Sequence, residues 1–418
     1  MKISRITVRN IGFSREPITL SRNLVTNTSI FEDFDTNKAG WFGPAMCTLV
    51  EVESSDGTVG IGTAGAFHGG ARSLIEDYYA PLLLGEDARR HEYLWQRMYR
   101  TTVRFGRSGS AMCAISALDI AMWDLHAKSE NKPVYDLLGG RTQTSAPCYV
   151  SRLYALEDLE QLKEEARGWV KAGFTRLKQR FGFGPKDGPE GMMRNVALIC
   201  AVRDAVGDAV ELAADAYMGW DVGYTLQMAK LLRAYNLSWI EEPLMPHEVE
   251  GYLELKNRCP WQRWSCGEHS YGKWDFRDLI DRRVVDILQP DVNRVGGITE
   301  AIKICAMAEA AGLPVVPHSN EAHNLHVIFS RSAHVCPVVE YFPAVEPDTG
   351  NELFWKLYEG LPVAVDGRLT MTDAPGLGLS LRREVVADLE VGSMRLTSDS
   401  PVLERDETKL IHNPIEMR

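Results

Sequence analysis

From about residue 144 to residue 340 the chain repeats one unit: a short apolar run, a polar residue closing it, and a stretch of helical periodicity. Strand ends fall near Ser151, Arg180, Asp215, Glu242, Glu268, Asp291, His318 and Glu340. Helices fit between them, for instance at 156–172, 221–235, 248–259 and 297–312. Alternating strand and helix implies a parallel sheet, since parallel neighbours need a crossover between them. Eight units without a break imply closure into a (β/α) barrel. The rival is an open doubly wound sheet, which would gather its polar residues at a switch-point crevice instead of at nearly every strand end.

The first 143 residues read differently. Strands are expected at 2–9 and 46–54, the second turning at Asp56-Gly57 into Val59-Gly60-Ile61 as a hairpin. Helices follow at 71–83, 88–100 and 108–129, the last with Ala114, Leu118, Ala121 and Leu125 on one stripe. This is an α+β capping domain, and the long segment at 20–45, which carries Phe34 and Trp41, has the length of a lid loop. Gly60-Ile61-Gly62-Thr63-Ala64-Gly65 matches G-x-G-x-x-G, yet it runs along a hairpin strand without opening a helix, so it lacks the context of a dinucleotide site. The expected architecture is therefore α/β: a modified TIM (β/α) barrel over 144–344, an α+β cap over 1–143, and a segment over 345–418 that completes barrel and cap. The stretch after Leu381 is read as an interface arm.

A formal charge of -11 without a long Lys/Arg run leaves no electrostatic footprint for nucleic acid or an anionic membrane. No stretch approaches 18 apolar residues and the start lacks a signal-peptide core, so a soluble cytoplasmic protein is expected. Eight cysteines, none in C-x-x-C spacing, read as buried thiols.

Chemistry in this fold sits at the C-terminal strand ends. Asp215, Glu241 and Glu268 close three successive strands at spacings of 26 and 27 residues, about one βα unit each. Three carboxylates at one level repel one another unless a cation lies between them, and all-oxygen ligation favours Mg²⁺. Asp291 and His318 end the next two strands, close enough to hydrogen-bond, which makes His318 a general-base candidate oriented by Asp291. Lys178 and Arg180 share one face of the second strand, expected opposite the metal group. Three carboxylates with one Mg²⁺ carry a net -1, so a carboxylate substrate would need those two cations nearby. Such a site suits removal of an α-proton and stabilisation of the enediolate that results.

With these residues on the page the chain resembles the enolase superfamily, and within it the mandelate racemase subgroup, over nearly its whole length. The motifs that carry the resemblance are Ala114–Gly140, the series Asp215, Glu241 and Glu268, Gln289-Pro290-Asp291 before Gly296-Gly297, Pro317-His318-Ser319, Glu340, and Pro375-Gly376-Leu377-Gly378. More closely it is similar to sugar-acid dehydratases related to L-rhamnonate dehydratase. The resemblance implies a Mg²⁺ enzyme with an Asp291–His318 dyad, a basic pair at Lys178 and Arg180, and Glu340 hydrogen-bonding the intermediate. It also implies a cap whose Phe34, Trp41 and His68 select the distal end of a small sugar acid, and a homo-oligomer, often an octamer. Where many subgroup members have a second lysine base, this chain has Arg180, which stays protonated. That asymmetry favours dehydration to a 2-keto-3-deoxy acid over racemisation. The acid for the departing 3-hydroxyl is His318 in a syn elimination and His269 otherwise. The rivals are a racemase or epimerase using the same enediolate, a metal-dependent hydrolase, whose H-x-H pair strand one lacks, and a silent sugar-acid-binding barrel.

Overall fold

A computed structural model describes residues 1–12, 22–31, 46–65, 70–344, 352–397 and 400–405. Strand β1 (Ile3–Gly12) pairs antiparallel with β2 (Met46–Ser54), which turns at Gly57 (φ 87°) into β3 (Val59–Ala64). Ile6, Val8, Val50 and Val52 point to one face of this sheet and meet the helices α1 (His91–Thr102) and α2 (Ser110–Ser129). The glycines of the apparent nucleotide motif have a packing reason: a Cβ on Gly60 would lie 2.0 Å from the Ala121 carbonyl oxygen, and one on Gly62 2.1 Å from that of Ala117. They let the hairpin lie directly on the backbone of α2.

The second sheet curls around a core and is parallel except for Arg368–Leu369, which pairs antiparallel with Ala146 and Pro147. Its parallel strands are β4 (Ala146–Leu153), β5 (Arg176–Arg180), β6 (Glu211–Asp215), β7 (Ile240–Glu241), β8 (Trp264–Cys266), β9 (Ile287–Leu288) and β10 (Val339–Tyr341). Their order is β9-β8-β7-β6-β5-β4-β10. The strand expected near His318 is reduced to a single bridge, Val315 to Leu288. Pro314 and Pro317 flank Val315-Val316 and lack the N–H groups a longer ladder needs. The helices expected at 221–235, 248–259 and 297–312 form over Val222–Leu232, Val249–Arg258 and Ile298–Ala311, the last of which is α3.

The chain's end returns to the cap. β11 (Glu390–Thr397) pairs antiparallel with β1, and β12 (Ser400–Arg405) pairs with β11, giving the cap sheet the order β12-β11-β1-β2-β3. The stretch read as an interface arm thus contributes two strands to its own cap, and residues 406–418 lie outside the described ones. All eight cysteines are free and only Cys200 is not buried. Among the described residues no helix is long and apolar enough to cross a membrane.

Helix α2 ties cap to barrel through buried polar groups. Asp119 accepts from the Thr299 backbone N–H at 2.9 Å and from its hydroxyl at 2.6 Å, satisfying one of the open donors at the start of α3. Ser116 Oγ accepts from Gly296 N–H at 2.9 Å, and Trp95 Nε1 donates to the Gly296 carbonyl at 2.8 Å. We expect Asp119→Ala to cost about 2–4 kcal/mol, because it removes a cap and leaves a buried N–H unpaired. Urea denaturation measures it, and an unchanged midpoint would show that this tie contributes nothing.

Candidate active site

Asp215 and Glu241 are direct register partners on β6 and β7, and Glu268 stands two residues beyond β8. All three are buried, at 1%, 1% and 3% exposure. They do not converge on one point. Among the described residues the one group of three or more carboxylate and imidazole side chains whose ligand atoms all lie within 4.8 Å of one another is Glu242, Glu268 and His269. The reason is that each carboxylate is drawn to a different cation. Lys178 Nζ donates to Glu241 at 2.8 and 2.9 Å, lies 2.6 Å from Glu340 and is 3.7 Å from Asp215. Arg180 donates to Asp215 at 2.7 Å and to Ser151 Oγ at 3.3 Å. Glu268 receives Arg294 at 3.2 Å and lies 3.0 Å from His318 Nε2.

The basic pair stands beside the acidic strands and not opposite them, because β5 pairs directly with β6 and Arg180 is the register partner of Asp215. Both cations are buried. Burial would lower the Lys178 ammonium, but Glu241, Glu340 and Asp215 outweigh it and hold it well above its ordinary value. Asp215 does the same for Arg180. Neither group can serve as a base from that state.

Asp291 and His318 meet as expected from their strand ends, with Nδ1 to Oδ2 at 2.9 Å. Asp291 Oδ1 accepts instead from the Asn293 backbone N–H at 2.8 Å, so its two oxygens have separate duties. Burial alone would lower the imidazole, but Glu268, Glu340 and Asp291 outweigh it and raise His318 to about 9. Glu340 is fully buried, reaches Lys178 with one oxygen and accepts from Ser319 N–H at 2.9 Å with the other. Lys178, together with His318, outweighs burial and holds the Glu340 carboxyl near 2. His269 is committed through Nδ1 to Glu242 at 2.7 Å. Phe34, Trp41 and His68 lie outside the described residues.

Three contributors escaped the sequence reading. Arg294 bridges Glu268 and Asp291, the latter at 3.3 Å from Nε. Gln289 donates to Glu241 at 2.8 Å. Asn324 donates to the His318 carbonyl at 2.7 Å while accepting from Val292 N–H at 3.1 Å, and so clamps the two strand ends of the dyad together. Backbone strain collects in the same place: Tyr217, Met218, Glu242 and Ser319 all have positive φ, at 42°, 59°, 37° and 73°.

The donor set fits a hard divalent cation. Five carboxylates (Asp215, Glu241, Glu268, Asp291, Glu340) face three permanently charged side chains (Lys178, Arg180, Arg294), an excess of two negative charges when His318 is neutral. The imbalance is felt at Glu241, where burial lifts the carboxyl to about 8, the pull of Lys178 being offset by Asp215, Glu340 and Glu268. Oxygen ligands at adjacent strand ends are the chemistry Mg²⁺ takes.

Comparison with known proteins identifies the family. The family model for enolase C-terminal domain-like proteins matches residues 161–385, and that for the N-terminal domain of mandelate racemase and muconate lactonizing enzyme matches 40–139. The chain is 36% identical over 340 residues to the L-rhamnonate dehydratase of Saccharopolyspora erythraea, covering 81% of this chain and 83% of that protein. The crystal structure of rhamnonate dehydratase from Gibberella zeae complexed with Mg superposes with a TM-score of 0.83 at 32% identity, over 93% of this chain and 96% of that one. L-Talarate dehydratase from Polaromonas sp. JS666, complexed with Mg and L-glucarate, gives 0.76 at 28% identity over 95% and 99%.

Proposed function

The chain belongs to the enolase superfamily, in its family of mandelate racemase and muconate lactonizing enzymes, and on that premise we propose that it is a Mg²⁺-dependent hydro-lyase acting on a sugar acid of the aldonate class. Asp215, Glu241 and Glu268 would hold the Mg²⁺, which when bound supplies a Lewis-acid counter-charge for the substrate carboxylate. The protein's own residues account for the proton chemistry. A carboxylate only accepts, so the bond to Asp291 assigns a proton to Nδ1; Nε2 lies 3.0 Å from Glu268 and holds a proton there while that carboxylate faces it, so it would act as the base in the neutral ring, once bound Mg²⁺ had offset the charge of Glu268. Nε2 takes the C2 proton, and the electrons of that C–H bond move into an enediolate. Lys178, held as an ammonium by its carboxylate neighbours, stabilises the added charge. The C3–O bond then breaks, His318 returns its proton to the departing hydroxyl, and water leaves. The enol tautomerises to a 2-keto-3-deoxy acid. His269 is the proton donor if the elimination is anti.

One observation carries dehydration over racemisation. A racemase needs acid–base groups on both faces of the α-carbon, whereas Arg180, which stands where a second base would be, is pinned to Asp215 and stays charged. The test is to incubate the protein with Mg²⁺ and a panel of sugar acids in D₂O, following α-deuteration and 2-keto-3-deoxy product by NMR. Turnover of at least one aldonate is expected. Exchange without dehydration across the panel would make the protein a racemase or epimerase, and binding without either would make it a silent sugar-acid-binding barrel.

A further inference from the structure

The groups that prepare His318 reach up into the cap. Asn293 is 1% exposed and serves three elements at once. Its backbone N–H holds Asp291 Oδ1, which leaves Oδ2 facing the imidazole. Its side-chain Nδ2 donates to Glu321 Oε2, and because a carboxylate cannot donate, that bond fixes the amide orientation. The amide oxygen therefore faces the cap, where the Thr63 hydroxyl on β3 donates to it at 3.3 Å. Glu321 is anchored in turn by its N–H to Ser319 Oγ at 3.4 Å and by His323 Nε2 at 3.2 Å from its carboxylate. Thr63, Asn293, Ser319 and Glu321 border an open pocket that also reaches His318 and Tyr358.

Thr63 and Asn293 are 230 positions apart, the first on a cap strand and the second on the four-residue helix Val292–Val295 of the barrel, and both are buried. A hydroxyl placed there could have been an apolar group had packing been its only duty, since a buried donor needs a partner to offset its desolvation. Besides the Tyr358 side chain, its partner is the side-chain amide of Asn293, the residue that also holds Glu321 through Nδ2 and Asp291 through its backbone N–H. We propose that Thr63, Asn293 and Glu321 form a positioning chain through which the docked cap hairpin sets Asp291 against His318, so that the base is aligned only when the cap is seated. The three stand on the Nδ1 side of the imidazole and act through Asp291. The inference rests on the reading of His318 as the base.

Thr63→Val keeps the side-chain shape and deletes the donor, while Thr63→Ser keeps the donor. The valine variant should lose kcat by roughly ten- to a hundredfold through misalignment of the base, with KM and the melting temperature little changed. Serine should restore the rate. In a double-mutant cycle, Thr63→Val should cost nothing further on an Asn293→Ala background, because the two remove the same link. Should Asn293→Ala fail to fold, Glu321→Ala takes its place in the cycle. Wild-type kcat in Thr63→Val, or two effects that multiply independently, would overturn the proposal. A wild-type protein inactive on every sugar acid would instead count against the proposed function. In that case the His318 Nδ1–H resonance decides: it should shift in the valine variant and return in the serine variant, and a resonance indifferent to both rejects the chain.

Discussion

His318→Asn is expected to abolish dehydration and α-proton exchange together, with kcat falling by about 10²–10⁴, the range a positioned general base contributes. The loss should be joint because Nε2 is the only atom given both tasks in a syn elimination, removal of the C2 proton and its delivery to the 3-hydroxyl. Asparagine retains a polar side chain beside Asp291, while the backbone at this point is held independently by Asn324 on the His318 carbonyl and by Glu340 on the Ser319 N–H. The fold should therefore survive, which circular dichroism checks. Exchange of the substrate α-proton in D₂O separates the outcomes. If the variant exchanges at the wild-type rate without forming product, His318 is the acid for the hydroxyl alone and another residue is the base. If it retains both, His318 stands outside the chemistry.

The positions that matter most here were legible because one repeat spaces them. A βα unit of 26 or 27 residues brings Asp215, Glu241 and Glu268 to successive strand ends, and the same repeat places Asp291 next to His318. The side-by-side placement of Lys178 and Arg180 with Asp215 follows from a rule that was available, that consecutive units are neighbours in a barrel, and the expectation of an opposite strand ignored it. The shortened strand before His318 was also written in the sequence, in Pro314 and Pro317. Arg294 and Asn293 were hidden for a different reason. They lie on a helix of four residues, Val292–Val295, too short for any periodicity to say which way a side chain points. The pairing of His269 with Glu242 was equally closed to inspection, because it depends on Glu242 leaving the strand with a φ of 37°.

Lys178→Met should harm both stability and rate, and the geometry says why the two are separable. The ammonium is fully buried and lies within 2.8 Å of Glu241, 2.6 Å of Glu340 and 3.7 Å of Asp215. Removing it strands carboxylates in a medium where they cannot be solvated, a loss of about 3–5 kcal/mol for one partner of a buried pair. It also removes a positive charge aimed at the developing enediolate, worth about 10²–10³ in kcat by analogy with a lost oxyanion-hole donor. A second substitution, Glu340→Gln, distinguishes the two effects. With Glu340 neutral there is one fewer unpaired charge, so the double variant should recover part of the melting temperature lost by Lys178→Met. It should recover none of the rate, because glutamine at 340 supplies no cation near the substrate. Joint recovery of rate and stability would mean that Lys178 serves the fold alone, as a counter-ion. A single variant with wild-type kcat would remove the lysine from the mechanism altogether.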